Sequence, residues 1–96
     1  MLSEWQYQRF SRALELLKEG RVIVFRSVQV SDRKGVAKMK RDGRIHYRLF
    51  EKMPNGWWVL IYENFVTIDD IAEMMELGWS LEKGRPSDFF KRHRDA

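Results

Sequence analysis

Ninety-six residues with a mass of 11.6 kDa are enough for one domain and too few for two. Hydrophobic residues at 44% and aromatics at 14% exclude an intrinsically disordered chain, and the longest apolar runs fall far short of a membrane span of ~20 residues. The absence of cysteine excludes disulfides, thiol catalysis and Cys-based zinc sites, and the net charge of +4 has the wrong sign for a mimic of nucleic acid.

At the N-terminus, Ser3 is placed to cap a helix that runs to about Glu19. Phe10, Ala13, Leu14 and Leu17 recur at helical spacing, with Trp5 and Leu16 widening the stripe, and Gly20 is placed to stop it. No basic stretch followed by an apolar block opens the chain, so no secretory signal is expected and the default compartment is cytoplasmic. Arg21–Val30 is rich in β-branched residues and reads as an inner strand, followed by a loop at Ser31–Gly35.

From Val36 to Phe65 three further strands are expected, joined by turns at Arg41-Asp42-Gly43 and Pro54-Asn55-Gly56. Turn length sets the register, and register sets which side chains share a face. Three-residue turns separate apolar from basic side chains far better than two-residue turns do. They place Ala37, Met39, Ile45, Tyr47, Leu49, Trp57, Val59, Ile61 and Phe65 on one face, with Glu51 and Glu63 near strand ends. The other face then carries Val36, Lys38, Lys40, Arg44, His46, Arg48, Phe50, Lys52, Trp58, Leu60, Tyr62 and Asn64.

Thr67 and Asp70 form a capping pair for a second helix, with Val66 and Ile71 spaced as a hydrophobic staple and Leu77-Gly78 as its stop. Ile68, Ile71, Ala72 and Met75 are expected as its buried stripe, and Asp69, Glu73 and Glu76 as an acidic outer stripe. Met74 and Met75 read as gap-fillers in the core, and Trp5, Trp57 and Trp79 as anchors between helices and sheet. Ser80–Pro86 reads as loop. Residues 85–96 form a basic tail, with a short helix over Ser87–Arg94. The expected fold is therefore one α+β domain over 1–96: helix, four-stranded antiparallel meander, helix, basic tail.

Charge is bipolar. Residues 33–52 hold eight basic groups against Asp42 and Glu51, whereas residues 63–82 hold six carboxylates and no Lys or Arg. No metal, phosphate-loop or nucleophile motif is present, so neither a cofactor nor an enzymatic activity is expected. Asp69-Asp70 fits the first turn of a helix, where acids offset unpaired amides, better than it fits a catalytic pair. A helix-turn-helix reading of Ile71–Gly78 fails because Lys83-Gly84-Arg85-Pro86 stands where the second helix should begin, and its first helix is acidic.

The candidate site is the basic-aromatic face: Lys38, Lys40, Arg44, His46, Arg48, Lys52, Trp58 and Tyr62. Single-stranded nucleic acid asks for this mixture, cations for phosphates and flat side chains for bases. Against it stands a plainer arrangement, in which a helix covers Phe50, Trp58 and Leu60 while the long cations reach around its edge. The expected function is a small nucleic-acid-binding accessory protein. The alternative is a regulator, inhibitor or adaptor, docking through the same residues on a larger enzyme, such as one that processes nucleic acid. No membrane partner is expected, and oligomeric state is open.

Overall fold

The computed structural model describes residues 2–27 and 29–95. In chain order these form helix α1 (Glu4–Lys18), strands β1 (Ile23–Arg26), β2 (Arg33–Met39), β3 (Ile45–Lys52) and β4 (Trp57–Val66), helix α2 (Ile68–Glu76), strand β5 (Ser80–Lys83), a 3-10 turn (Pro86–Phe89) and strand β6 (Arg92–Arg94). All six strands join one curled antiparallel sheet in the order β5-β1-β2-β3-β4-β6.

Local chemistry sets the helix starts. Ser3 Oγ accepts from Gln6 N at 3.1 Å and the Gln6 side chain accepts from Ser3 N at 2.9 Å, which satisfies amides the first turn of α1 leaves open. Thr67 and Asp70 do the same for α2, at 3.2 and 2.8 Å. The apolar stripes of both helices lie on the same side of the sheet. Ala13, Leu16, Leu17, Ile71 and Met75 pack there against Ile23, Phe25, Ala37, Ile45 and Tyr47. Gln6 joins the helices by donating to the Met75 carbonyl at 3.1 Å, at the C-terminal end of α2.

Both hairpins use three-residue turns. Lys40 N donates to Arg44 O at 2.8 Å and Met53 N to Trp57 O at 2.7 Å. Gly43 and Gly56 take the left-handed conformation the third turn residue needs, at φ +88° and +87°. The expected register follows: Lys38 lies opposite His46, Ala37 opposite Tyr47, and Lys52 opposite Trp58.

Beyond Phe50 the register of β4 slips by one, with Phe50 opposite Leu60 but Leu49 opposite Tyr62. Ile61 is the extra residue of a β-bulge. The slip corrects the expected faces. Tyr62 and Asn64 move to the helix side, whereas Glu63 and Phe65 move to the basic side. Ile61, expected in the core, is exposed.

Four further expectations are corrected. The meander is part of a six-stranded sheet, because Ser80–Lys83 is strand β5 against β1, and residues 92–94 are strand β6 against β4. The strand expected over Arg21–Val30 is limited to Ile23–Arg26, with Val28 outside the described residues, and β2 begins at Arg33 inside the expected loop. The basic tail carries no α-helix over Ser87–Arg94. Trp5 lies exposed under the Arg9 guanidinium at 4.4 Å and anchors nothing, while Trp79 does pack on the helix-side core.

Residues 84–91 leave one edge of the sheet and arrive at the other. This strap crosses the face opposite the helices and closes a second core of Val22, Val24, Val36, Phe50 and Trp58, with Leu60 and Phe89 packed against it.

Candidate nucleic-acid interface

The basic-aromatic face exists, and the strap divides it. At the β1–β6 end the charge of Lys34 is buried and neutralised. Lys34 is fully buried, 3.1 Å from an Asp95 carboxylate oxygen and 3.6 Å from Asp88, with its ammonium 4.5 Å above the Trp58 ring. Burial would raise the Asp95 carboxyl. The Trp58 indole N–H directed at it, the hydrogen bond from Lys34 and the charges of Lys34 and Arg26 outweigh it and hold the group at about 2. The Trp58 indole N–H faces Asp95 without reaching full hydrogen-bond geometry. Trp58 is 1% exposed, so its ring is a core element and offers no stacking surface. Lys52 is exposed beside it, 5.8 Å from the same ring.

The middle of the face is also paired. Glu63, delivered here by the bulge, accepts from Arg48 Nε at 3.0 Å and meets His46 Nε2 at 3.1 Å. The two contacts, Arg48 first, draw the Glu63 carboxyl below its usual range. Arg48 also donates to the Phe89 carbonyl and lies over the Phe89 ring at 4.3 Å, which ties it to the strap.

The end formed by the β2–β3 hairpin is open. A concavity of about 430 Å³ is lined by Gly20, Lys38, Met39, Lys40, Arg41, His46 and Phe89. Two smaller depressions adjoin it at Gly20, of about 270 Å³ toward Lys18 and Gly43 and about 180 Å³ toward Arg21 and Pro86. Together they make a groove around the end of α1. Among the described residues no carboxylate lies within ion-pair distance of Lys38, Lys40 or Arg41. Arg44 is held by Asp42 at 2.8 Å inside the turn, and hydrogen bonds from the Arg44 backbone and side chain draw the Asp42 carboxyl down.

Aromatic surface borders the same groove. Phe65 is 42% exposed, with the Arg44 guanidinium at 4.2 Å and the Lys40 ammonium at 5.4 Å from its ring. The His46 ring lies 5.5 Å from Phe65 and 5.1 Å from Phe89.

Of the residues expected to form the site, Lys38, Lys40, Arg44 and His46 gather at the groove. Arg48 is committed to Glu63 and the strap, Lys52 and Trp58 lie at the far end, and Tyr62 is on the opposite face, 51% exposed. Arg41, Phe65 and Phe89 belong to the groove and were not expected there. Arg41 reads in sequence as a turn residue only, and the other two depend on the bulge and on the crossing of the strap. A third cluster lies on the helix side beyond the reach of the helices, where Arg92 and Arg94 sit 4.5 and 5.5 Å from the Trp57 ring.

Among the described residues no group of three or more His, Asp or Glu side chains is arranged to hold a metal ion, and no helix is long and apolar enough to cross a membrane. No protein-family model, curated protein or solved structure matches the chain.

Proposed function

We propose that the chain is a small accessory protein that binds single-stranded nucleic acid without catalysis, along the groove at the β2–β3 hairpin. One observation carries this reading. Apart from the solitary Lys52 at the far end, cations elsewhere on the face are matched by carboxylates or the strap, whereas Lys38, Lys40 and Arg41 converge, unmatched among the described residues, on a concave surface bordered by aromatic rings. Unmatched cations supply the phosphate contacts, and Phe65 and His46 supply flat surfaces for bases.

Fluorescence anisotropy across a salt series tests it. With Arg44 joining the three unmatched cations, the logarithmic salt slope is expected at roughly −2 to −3, from about −0.7 per phosphate on single strands. Lys38→Ala/Lys40→Ala/Arg41→Ala flattens most of that slope. Phe65→Ala weakens binding by about tenfold with the slope kept, since stacking contributes about 1–3 kcal/mol per base. Absence of binding at low salt, or binding indifferent to the triple variant, overturns the reading in favour of a regulator that docks on protein.

A further inference from the structure

Strand β4 is ten residues long, but its outer neighbour β6 covers only Trp57–Val59, with one more bond from Leu60 N to Lys91 O at 3.0 Å. From Ile61 to Val66 no described strand lies on that edge. The Met53–Trp57 and Lys40–Arg44 bonds fix the ladder's alternation. Asn64 and Val66 therefore turn their main chain toward β3, and Glu63 and Phe65 turn theirs outward. Among the described residues the outward Phe65 N–H meets only the side chain of its neighbour Asn64, at 2.8 Å.

Natural sheets protect such an edge with proline, lysine, a bulge or a cover, and the Ile61 bulge marks only one end of the open stretch. Residues 61–66 contain neither proline nor lysine, and Ile61, Tyr62 and Phe65 are exposed along them. The one charge, Glu63, is turned to Arg48 and His46.

Lys40 and Arg44, the latter paired with Asp42, stand over Phe65, and beyond them the two ends of the open edge differ in sign. At the Val66 end α2 begins, with exposed Ile68 beside Asp69, Asp70 and Glu73. At the Ile61 end β6 begins, with exposed Phe90 beside Lys91 and Arg92. A strand with one acidic and one basic end is complementary to itself when reversed.

We infer that this half of β4 pairs antiparallel with the same half of a second copy of the chain, forming a two-fold dimer. Asn64 lies at the axis, and Glu63 exchanges main-chain bonds with Phe65 of the second copy. The acidic start of α2 then abuts the basic start of β6 of the second copy, twice by symmetry. The pairing stops where β6 of the other copy begins, so the contact closes at two chains and does not propagate.

Sedimentation equilibrium at low salt tests the inference, with circular dichroism to confirm each fold. The wild type is expected at twice the 11.6 kDa chain mass at high concentration, with the dimer weakening as salt rises. Ile61→Lys puts a lysine on the edge, and Asp69→Lys or Lys91→Glu sets like charges against each other. Each is expected to weaken the dimer by about tenfold or more. Asp69→Lys and Lys91→Glu combined in one chain restore it, because the two ends have exchanged sign. A wild type that stays at monomer mass overturns the inference, and so does a doubly reversed chain that associates no better than the single variants. A dimer indifferent to Ile61→Lys overturns it as well, since the contact would then lie elsewhere.

Discussion

The sheet is closed on its two faces by different means. On one face two helices supply Ala13, Leu16, Leu17, Ile71 and Met75, and the contact is almost wholly apolar. On the other a strap crosses, and its apolar contribution is mainly Phe89. Polar groups hold it: Lys34 with Asp88 and Asp95, Arg48 on the Phe89 carbonyl, and the Asp88 carboxylate accepting from Arg85 N at 2.8 Å. Apolar closure is insensitive to pH and tolerates small shifts. Polar closure depends on every partner being present and in the right protonation state. The difference also accounts for the groove, because a narrow strap leaves one end of its face uncovered where a helix would not.

The largest effect is expected at the strap. Asp88→Ala removes one partner of a buried ammonium and the acceptor at the start of the 3-10 turn, and should cost about 3 kcal/mol in denaturant melting. Lys34→Met combined with Asp88→Asn removes both buried charges, keeps an acceptor for Arg85 N, and should stay within about 1 kcal/mol of wild type. Equal losses in the single and double variants would mean that the strap is held by packing, as the helices are.

On the helix side the tightest contact is Gly35, where a Cβ would stand 2.5–2.9 Å from the Tyr47 ring and hydroxyl. Tyr47 is buried, and burial pushes its phenol up to about 12. Gly35→Ala should cost about 2 kcal/mol, since a packed ring must shift. Tyr47→Leu in the Gly35→Ala background should recover part of the loss, which a backbone effect of the alanine would not allow.

Thr67→Ala tests the same side through its helix start. Loss of the Thr67 acceptor should cost about 1 kcal/mol. An unchanged melting midpoint would show that α2 is held by its apolar stripe alone.

The smallest effect separates the faces by pH. His93 is buried in the strap region, its Nδ1 at 3.0 Å from the Phe90 carbonyl and its Nε2 without a partner. Burial lowers its pKa, with the Lys34 charge adding to that and the Phe90 hydrogen bond, Asp88 and Asp95 opposing it. The unfolded imidazole takes its proton first, near pH 6.5, so stability falls as pH drops below about 6.5. His93→Leu should remove this pH dependence. Asp95 has the carboxylate sign, with its contribution present above about pH 4 and lost as pH falls toward about 2.

What the sequence disclosed follows from how local each cause is. Arg41-Asp42-Gly43 and Pro54-Asn55-Gly56 specify their turns within a few residues, and the hairpin register could be reasoned from face segregation. Ser3 and Thr67 act on amides three positions away. The bulge at Ile61 carries no glycine or proline to mark it, so the faces of Tyr62, Glu63 and Phe65 were misassigned. The Lys34–Asp95 contact spans 61 positions, and nothing around Arg33-Lys34-Gly35 distinguishes a buried cation from a solvated one. Strand β6 is three residues long, too short for its alternation to stand out from a run of charge. The candidate site was legible at the hairpin and illegible where the strap decides exposure.

The bulge has a further consequence for how this chain tolerates change. Ahead of Ile61, even-numbered positions of β4 face the strap; beyond it, odd-numbered ones do. The bulge holds one residue more than the pairing with β3 needs. Loss of Ile61 would leave Leu60 opposite Phe50 and Tyr62 opposite Leu49, so Glu63 and Phe65 would stay on the strap side and only the bulge would go. One residue inserted after Tyr62 finds no such slack: Glu63 would turn to the helix side, and His46 and Arg48 would lose their carboxylate. The strand is thus more open to shortening by one residue than to lengthening by one.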